Sequence, residues 1–142
     1  MATTRIATTN WEGSLMEGAG TVELDSSGVG KFDVSWPSRA EEPGGRTSPE
    51  ELIAAAHSSC FSMALSHGLA GAGTPPESVR TQASVTFQPG EGITGIVLSV
   101  KARVPGLSAE DFQTAAQAAK ENCPVSKALA GAPISLEAEL LD

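Results

Sequence analysis

The sequence predicts an α+β fold with mainly antiparallel sheet, and three observations carry that prediction. Apolar and polar residues alternate in separate short runs, at 21–24, 83–87 and 134–140, which is the period-two signature of half-buried strands. The run from 49 to 69 is apolar on nearly every side and opens with a helix-start signal. Strands also precede and flank the helices without the βαβ alternation expected of a parallel sheet.

In chain order, the N-terminal third reads as an antiparallel meander. Turns fall at "GAG" around Ala19 and "SSGVG" after Asp25, and Phe32, Val34 and Trp36 alternate so as to share one sheet face. The loop "PSRAEEPGGRT" follows and holds Arg39 and Arg46. Ser48 is then the N-cap of a helix with Pro49 in its first position and Glu51 three residues on. This is the capping-box arrangement, in which the Glu51 carboxylate bonds back to the Ser48 N–H. The helix runs to about Leu69 and is ended by Gly71. Leu52, Ile53, Ala54, Ala55, Ala56, Phe61, Met63, Ala64 and Leu65 cover every direction at 100° per residue. One sheet covers only one side of such a helix, so a second subunit supplies the other cover and a homodimer is expected.

After "GAGTPPES" a hairpin is predicted, with Ala83, Val85 and Phe87 on one arm, "PGEG" at the bend and "ITGIVLSVKARV" as the other arm. Ser108 caps the next helix, Pro124 opens a short third helix that Gly131 closes, and Ile134, Leu136, Ala138 and Leu140 alternate in a last strand. With no repeat or composition break, residues 1–142 are expected to form one domain.

Nine Lys and Arg against seventeen Asp and Glu give a net charge of −8, which repels phosphate backbones and anionic lipid. No nucleic-acid or membrane partner is therefore expected. The first residues hold no apolar stretch of signal-peptide length, and a cytoplasmic location is expected. In a reducing compartment two cysteines stand for packing, metal ligation or redox chemistry rather than a structural disulfide.

Cys60 lies in the all-apolar helix, where a thiol also serves as an ordinary space filler. Cys123 precedes Pro124 and is the N-cap of a short helix, whose unpaired N–H groups favour a thiolate. Glu51 is accounted for by capping, whereas Glu50 is not. Ten residues at about 1.5 Å each set Glu50 roughly 15 Å from Cys60 along a straight helix, too far for contact. Arg39 or Arg46 has the reach to pair with the acid and present its planar fork to the sulfur. His57 and Cys60, three residues apart on one face, are also close enough to share a metal with Cys123 or His67, although the spacing matches no standard zinc pattern.

"WEGSLMEGAGTVELDS", "TSPEELIAAAHSSCFSMALS" and "CPVSKAL" followed by an alternating strand together resemble the family of osmotically inducible and organic hydroperoxide resistance proteins (OsmC/Ohr). The resemblance covers nearly the whole chain. It implies an intertwined homodimer whose antiparallel sheets wrap two buried, cysteine-bearing central helices, and a thiol-dependent peroxidase that reduces organic hydroperoxides without a cofactor or metal. It further implies that Cys60 attacks the peroxide, Cys123 resolves it, and Glu50 is the catalytic acid beside an arginine. Arg39 matches the arginine of the OsmC branch, and "NWEGSLMEGAG" lacks the one that the Ohr branch carries there; Arg46 stays an alternative. A dithiol, lipoyl-type or thioredoxin-like, would then reduce the disulfide. The rival readings are a non-catalytic stress or interaction protein with packing cysteines, and a zinc-binding module.

Overall fold

A computed structural model of the protein describes all 142 residues. The chain forms two compact units, 1–52 and 53–142, and the division falls inside one long helix.

The first unit is a three-stranded antiparallel sheet in the order β1 (Thr8–Glu12), β2 (Ala19–Glu23), β3 (Lys31–Val34). Trp11 stands opposite Gly20, and a side chain at Gly20 would come within 2.8 Å of the indole and of the Asn10 carbonyl. The close approach of β1 is therefore possible only over glycine. The expectation that Trp36 continues β3 is corrected: it opens a short helix, α1 (Trp36–Ala40). Ser35 is its N-cap and accepts from the Ser38 N–H at 3.2 Å, while the Ser38 hydroxyl accepts from the Ser35 N–H at 3.1 Å. This reciprocal serine box turns the chain one residue before the alternation would have placed Trp36 on the sheet. Arg39 thus sits on a helical turn rather than in a loop.

Helix α2 (Pro49–Gly71) begins where its signals put it, and Ser48 accepts from the Glu51 N–H at 3.2 Å. The second half of that box is not formed, because the Glu51 carboxylate accepts from the Thr47 hydroxyl instead. At the far end Gly73 takes the left-handed conformation, φ +88°, and the Thr74 N–H returns to the Leu69 carbonyl at 2.9 Å. The conformational stop is therefore Gly73, two residues beyond Gly71.

The second unit holds β4 (Ser78–Gln88), β5 (Gly92–Arg103), α3 (Ala109–Asn122), α4 (Pro124–Ala128) and β6 (Ile134–Leu141). The hairpin β4–β5 and both helix starts follow the sequence expectation, including the Ser108 cap on Asp111 N–H at 3.1 Å. α4 stops at Ala128, ahead of Gly131. Sheet order is β4–β5–β6, and the β5–β6 pair is parallel. The expectation of no βαβ unit is corrected here. The helical connection through α3 and α4 brings the chain back to run beside β5 in the same direction, a return that a hairpin turn cannot make.

One face of this sheet meets the helices. Leu98, Val100 and Ala102 of β5 pack with Phe61, Leu65 and Leu69 of α2 and with Phe112, Ala116 and Ala119 of α3. His57, Phe61, Leu65 and Leu69 are the buried stripe of α2 at spacing four, while Ala55, Ala56, Ser59, Met63 and His67 are exposed. Within one chain, the helix is covered on one side only.

Leu98 is fully buried in the middle strand. Leu98→Ala is expected to lower unfolding free energy by about 2–5 kcal/mol in urea denaturation, through lost burial and the cavity left behind.

Candidate functional site

The residues singled out in the sequence resolve into two groups. In the first unit α1 presents Arg39 and the first turn of α2 presents Glu50. Arg39 Nε donates to Glu50 Oε1 at 3.0 Å and to Oε2 at 3.2 Å, and Nη2 donates to Oε2 at 3.0 Å. The carboxylate is buried, so removing the guanidinium would strand a charge that the fork now satisfies. Of the two arginines, Arg39 is the one paired with Glu50; the Arg46 side chain lines a polar hollow with Asn10, Glu12 and Asp33. Around Arg39 lies an apolar cavity of about 360 Å³ walled by Trp11, Leu15, Trp36 and Leu52.

In the second unit Cys60 of α2 and Cys123 at the N-cap of α4 face each other at 2.9 Å between sulfurs, both as free thiols. The distance is beyond the roughly 2.05 Å of a disulfide and within hydrogen-bond range for sulfur. Cys123 is fully buried and Cys60 half-buried. Cys60 opens onto an apolar groove of about 920 Å³, lined also by Met63, Ala64, His67, Leu107 and Ala119. Phe61 does not line it; its ring is part of the core, so its neighbourhood to Cys60 in sequence does not make it a groove residue.

The two sulfurs are electrostatically unequal. Burial pushes the Cys60 thiol up, its hydrogen bond to Cys123 and the charge there raise it further, and the Val125 N–H opposes them only in part. Burial also pushes Cys123 up, but the hydrogen bond from Cys60, the Ser126 N–H and hydroxyl and the Val125 N–H outweigh it and hold this thiol below its ordinary value. Cys123 makes no formal capping bond, so the amides at the start of α4 act on its charge without fixed cap geometry. Either thiol has a proton to donate to the other. The unequal surroundings favour a thiolate at Cys123 over one at Cys60, and the titration belongs to the pair.

His57 and Ser126 complete the cluster. His57 is fully buried, its Nε2 lies 2.7 Å from the Ser126 hydroxyl, and its Nδ1 has no partner. Burial lowers its pKa and keeps the ring neutral near pH 7. A proton on Nδ1 would be a buried N–H without an acceptor, costing about 1–3 kcal/mol, so the proton is assigned to Nε2. Sequence reasoning considered His57 only as a metal ligand and passed over Ser126. The available signal was the spacing: each lies three residues from a cysteine within its helical segment. No group of three or more His, Cys, Asp or Glu side chains that could hold a metal ion converges in the structure. No helix is long and apolar enough to cross a membrane.

Comparison with known proteins places this chain in a family. The family described as "OsmC-like protein" matches residues 42–139. The chain is 42% identical over 134 residues to peroxiredoxin OsmC of Escherichia coli, covering 92% of each chain. It is 32% identical over 114 residues to the organic hydroperoxide resistance protein OhrB of Bacillus subtilis, covering 80% of this chain and 83% of that one. The crystal structure of an organic hydroperoxide resistance protein OsmC from Legionella pneumophila superposes with a TM-score of 0.72 at 26% identity, covering 100% of this chain and 99% of that one. The chain belongs to the OsmC-like family.

Unequal thiols make a direct prediction. Thiolate absorbance of the reduced protein is expected to rise in two steps, one below and one above the ordinary thiol value of 9.0. Two protons lost together at that value would contradict the pairing.

Proposed function

We propose that this member of the OsmC-like family is a cysteine-based peroxidase that reduces organic hydroperoxides through a Cys60–Cys123 disulfide. The observation that carries the reading is the sulfur pair itself: two free thiols in contact, of which only Cys60 opens onto an apolar groove. The names of the Escherichia coli and Bacillus subtilis relatives support the reaction type and the substrate class.

In the proposed cycle the Cys60 thiolate attacks the O–O bond and becomes a sulfenic acid, and the alkoxide leaves and takes up a proton as the alcohol. Cys123 then attacks the sulfenic sulfur, the S–O bond breaks, and hydroxide leaves and is protonated to water. A dithiol of lipoyl or thioredoxin type regenerates both thiols by exchange. Burial disfavours the Cys60 thiolate, which therefore needs a stabilising partner. The Arg39 guanidinium, held by Glu50, is the group we assign to stabilise that thiolate and to orient the peroxide. The whole chain works as one functional domain of a cytoplasmic homodimer, and the exposed side of α2, centred on Met63 at 71% exposure, is where the second copy packs.

Two tests follow from this reading. One equivalent of cumene hydroperoxide added to reduced protein is expected to remove both thiols with a loss of two mass units, and Cys123→Ser is expected to yield a trappable sulfenic acid at Cys60. Survival of both thiols would leave the non-catalytic reading. Separately, Met63→Asp is expected to convert a dimer to monomer in sedimentation analysis at micromolar protein; an unchanged mass would place the interface elsewhere.

A further inference from the structure

No bond made or broken in the proposed cycle involves His57, yet its burial is complete and leaves Nδ1 without a partner. A ring present only to fill space would be replaced at no cost by an apolar side chain of similar volume, so an unsatisfied buried group asks for another reason. The reason lies at its other nitrogen. Nε2–H donates to the Ser126 hydroxyl at 2.7 Å, and that bond uses the oxygen as acceptor, leaving the hydroxyl proton to be given elsewhere. Ser126 stands at the third position of α4, whose N-cap is Cys123, so its hydroxyl lies within one helical turn of that sulfur, where its proton favours the thiolate. Cys123 in turn touches Cys60 at 2.9 Å. Imidazole, hydroxyl, resolving sulfur and attacking sulfur therefore follow one another across α2 and α4, with His57, Ser126 and Cys123 all buried. Among titratable groups, Cys60 acts on Cys123 directly, and His57 touches Ser126.

We propose that His57 and Ser126 are positioning residues for the second half of the reaction: the imidazole N–H fixes the Ser126 hydroxyl so that its proton points at Cys123, holding that sulfur as the thiolate that condenses with the Cys60 sulfenic acid. The proposal rests on the peroxidase reading. Cys123 gives up its proton to solvent before the step. Its electron pair forms the S–S bond, the S–O bond of Cys60 breaks, and the departing hydroxide takes a proton back as water. Cys123 is thereby oxidised and the sulfenic sulfur reduced. Bonds in such a chain polarise one another, so a neutral imidazole at its head strengthens the hydroxyl as a donor to the thiolate.

The first measurement needs no peroxidase activity. In Cys60→Ser protein the absorbance of the single Cys123 thiolate is titrated alone and with Ser126→Ala, Ser126→Thr or His57→Leu added. Ser126→Ala is expected to move the midpoint up by about one pH unit, the loss of one hydrogen bond to a charge. Ser126→Thr is expected to restore it, and His57→Leu to move it in the same direction by less. The second measurement uses the two-cysteine protein in single turnover with cumene hydroperoxide, where Ser126→Ala is expected to lower the ratio of disulfide closure to sulfenic-acid formation about tenfold. His57→Leu tests the chain from its far end if Ser126→Ala does not fold. An unmoved midpoint and ratio in whichever variants fold would overturn the proposal. A protein whose Cys60 is not oxidised at all would instead overturn the peroxidase reading, with the titration still deciding the role of His57 and Ser126.

Discussion

The buried stripe of α2 is the constraint on which the second unit depends. His57, Phe61, Leu65 and Leu69 recur every fourth residue and must face the sheet and α3, because three of them are large apolar side chains with no exposed surface. Once that face is set, every other residue of the helix has its direction assigned at 100° per step. Cys60 precedes Phe61 by one residue and so falls at the margin of the stripe, half-buried and still open to the groove. His57 falls inside the stripe, where its polar edge needs a partner and finds Ser126. Packing energy on one side of a helix thus decides which sulfur meets solvent and which polar groups are sealed away.

Charge is handled by short-range pairing throughout. The protein carries a net charge of −8, yet its buried acid, Glu50, is held by three donor contacts from one guanidinium. The Cys123 thiolate is favoured by amides, a hydroxyl and the neighbouring thiol. These are weak donors individually, and their combined effect still outweighs the burial of Cys123. The contact between the sulfurs contributes to both shifts, adding to the burial that raises Cys60 and joining the Ser126 and Val125 groups that lower Cys123.

Much of the architecture was legible because it is written in local signals. Ser48 with Pro49, Ser108, Pro124, and the alternations of β4, β5 and β6 each act through neighbours a few residues away. The departures have an equally local cause in some places and a distant one in others. Trp36 was misplaced because Ser35 and Ser38 form a box that competes with continued alternation, a contest within four residues that pattern counting does not weigh. Glu51 turned to Thr47 rather than to the Ser48 amide, since a hydroxyl next to the cap offered the nearer donor. The parallel pairing of β5 with β6 depends on where α3 and α4 lead the chain, which no residue of either strand specifies.

The amino-acid order alone was enough to identify two cysteines in helical settings, an acid freed from capping duty, and a choice of two arginines, since each of these rests on side-chain chemistry and short-range geometry. Folding in three dimensions was needed to choose Arg39 over Arg46 as the partner of Glu50, to bring sulfurs 63 residues apart within 2.9 Å, and to join His57 to Ser126 across 69 residues. Those contacts link segments whose separation along the chain says nothing about distance, and it is the shared burial of α2, α3 and the β5 face that closes the gap between the sulfurs and seats His57 against Ser126.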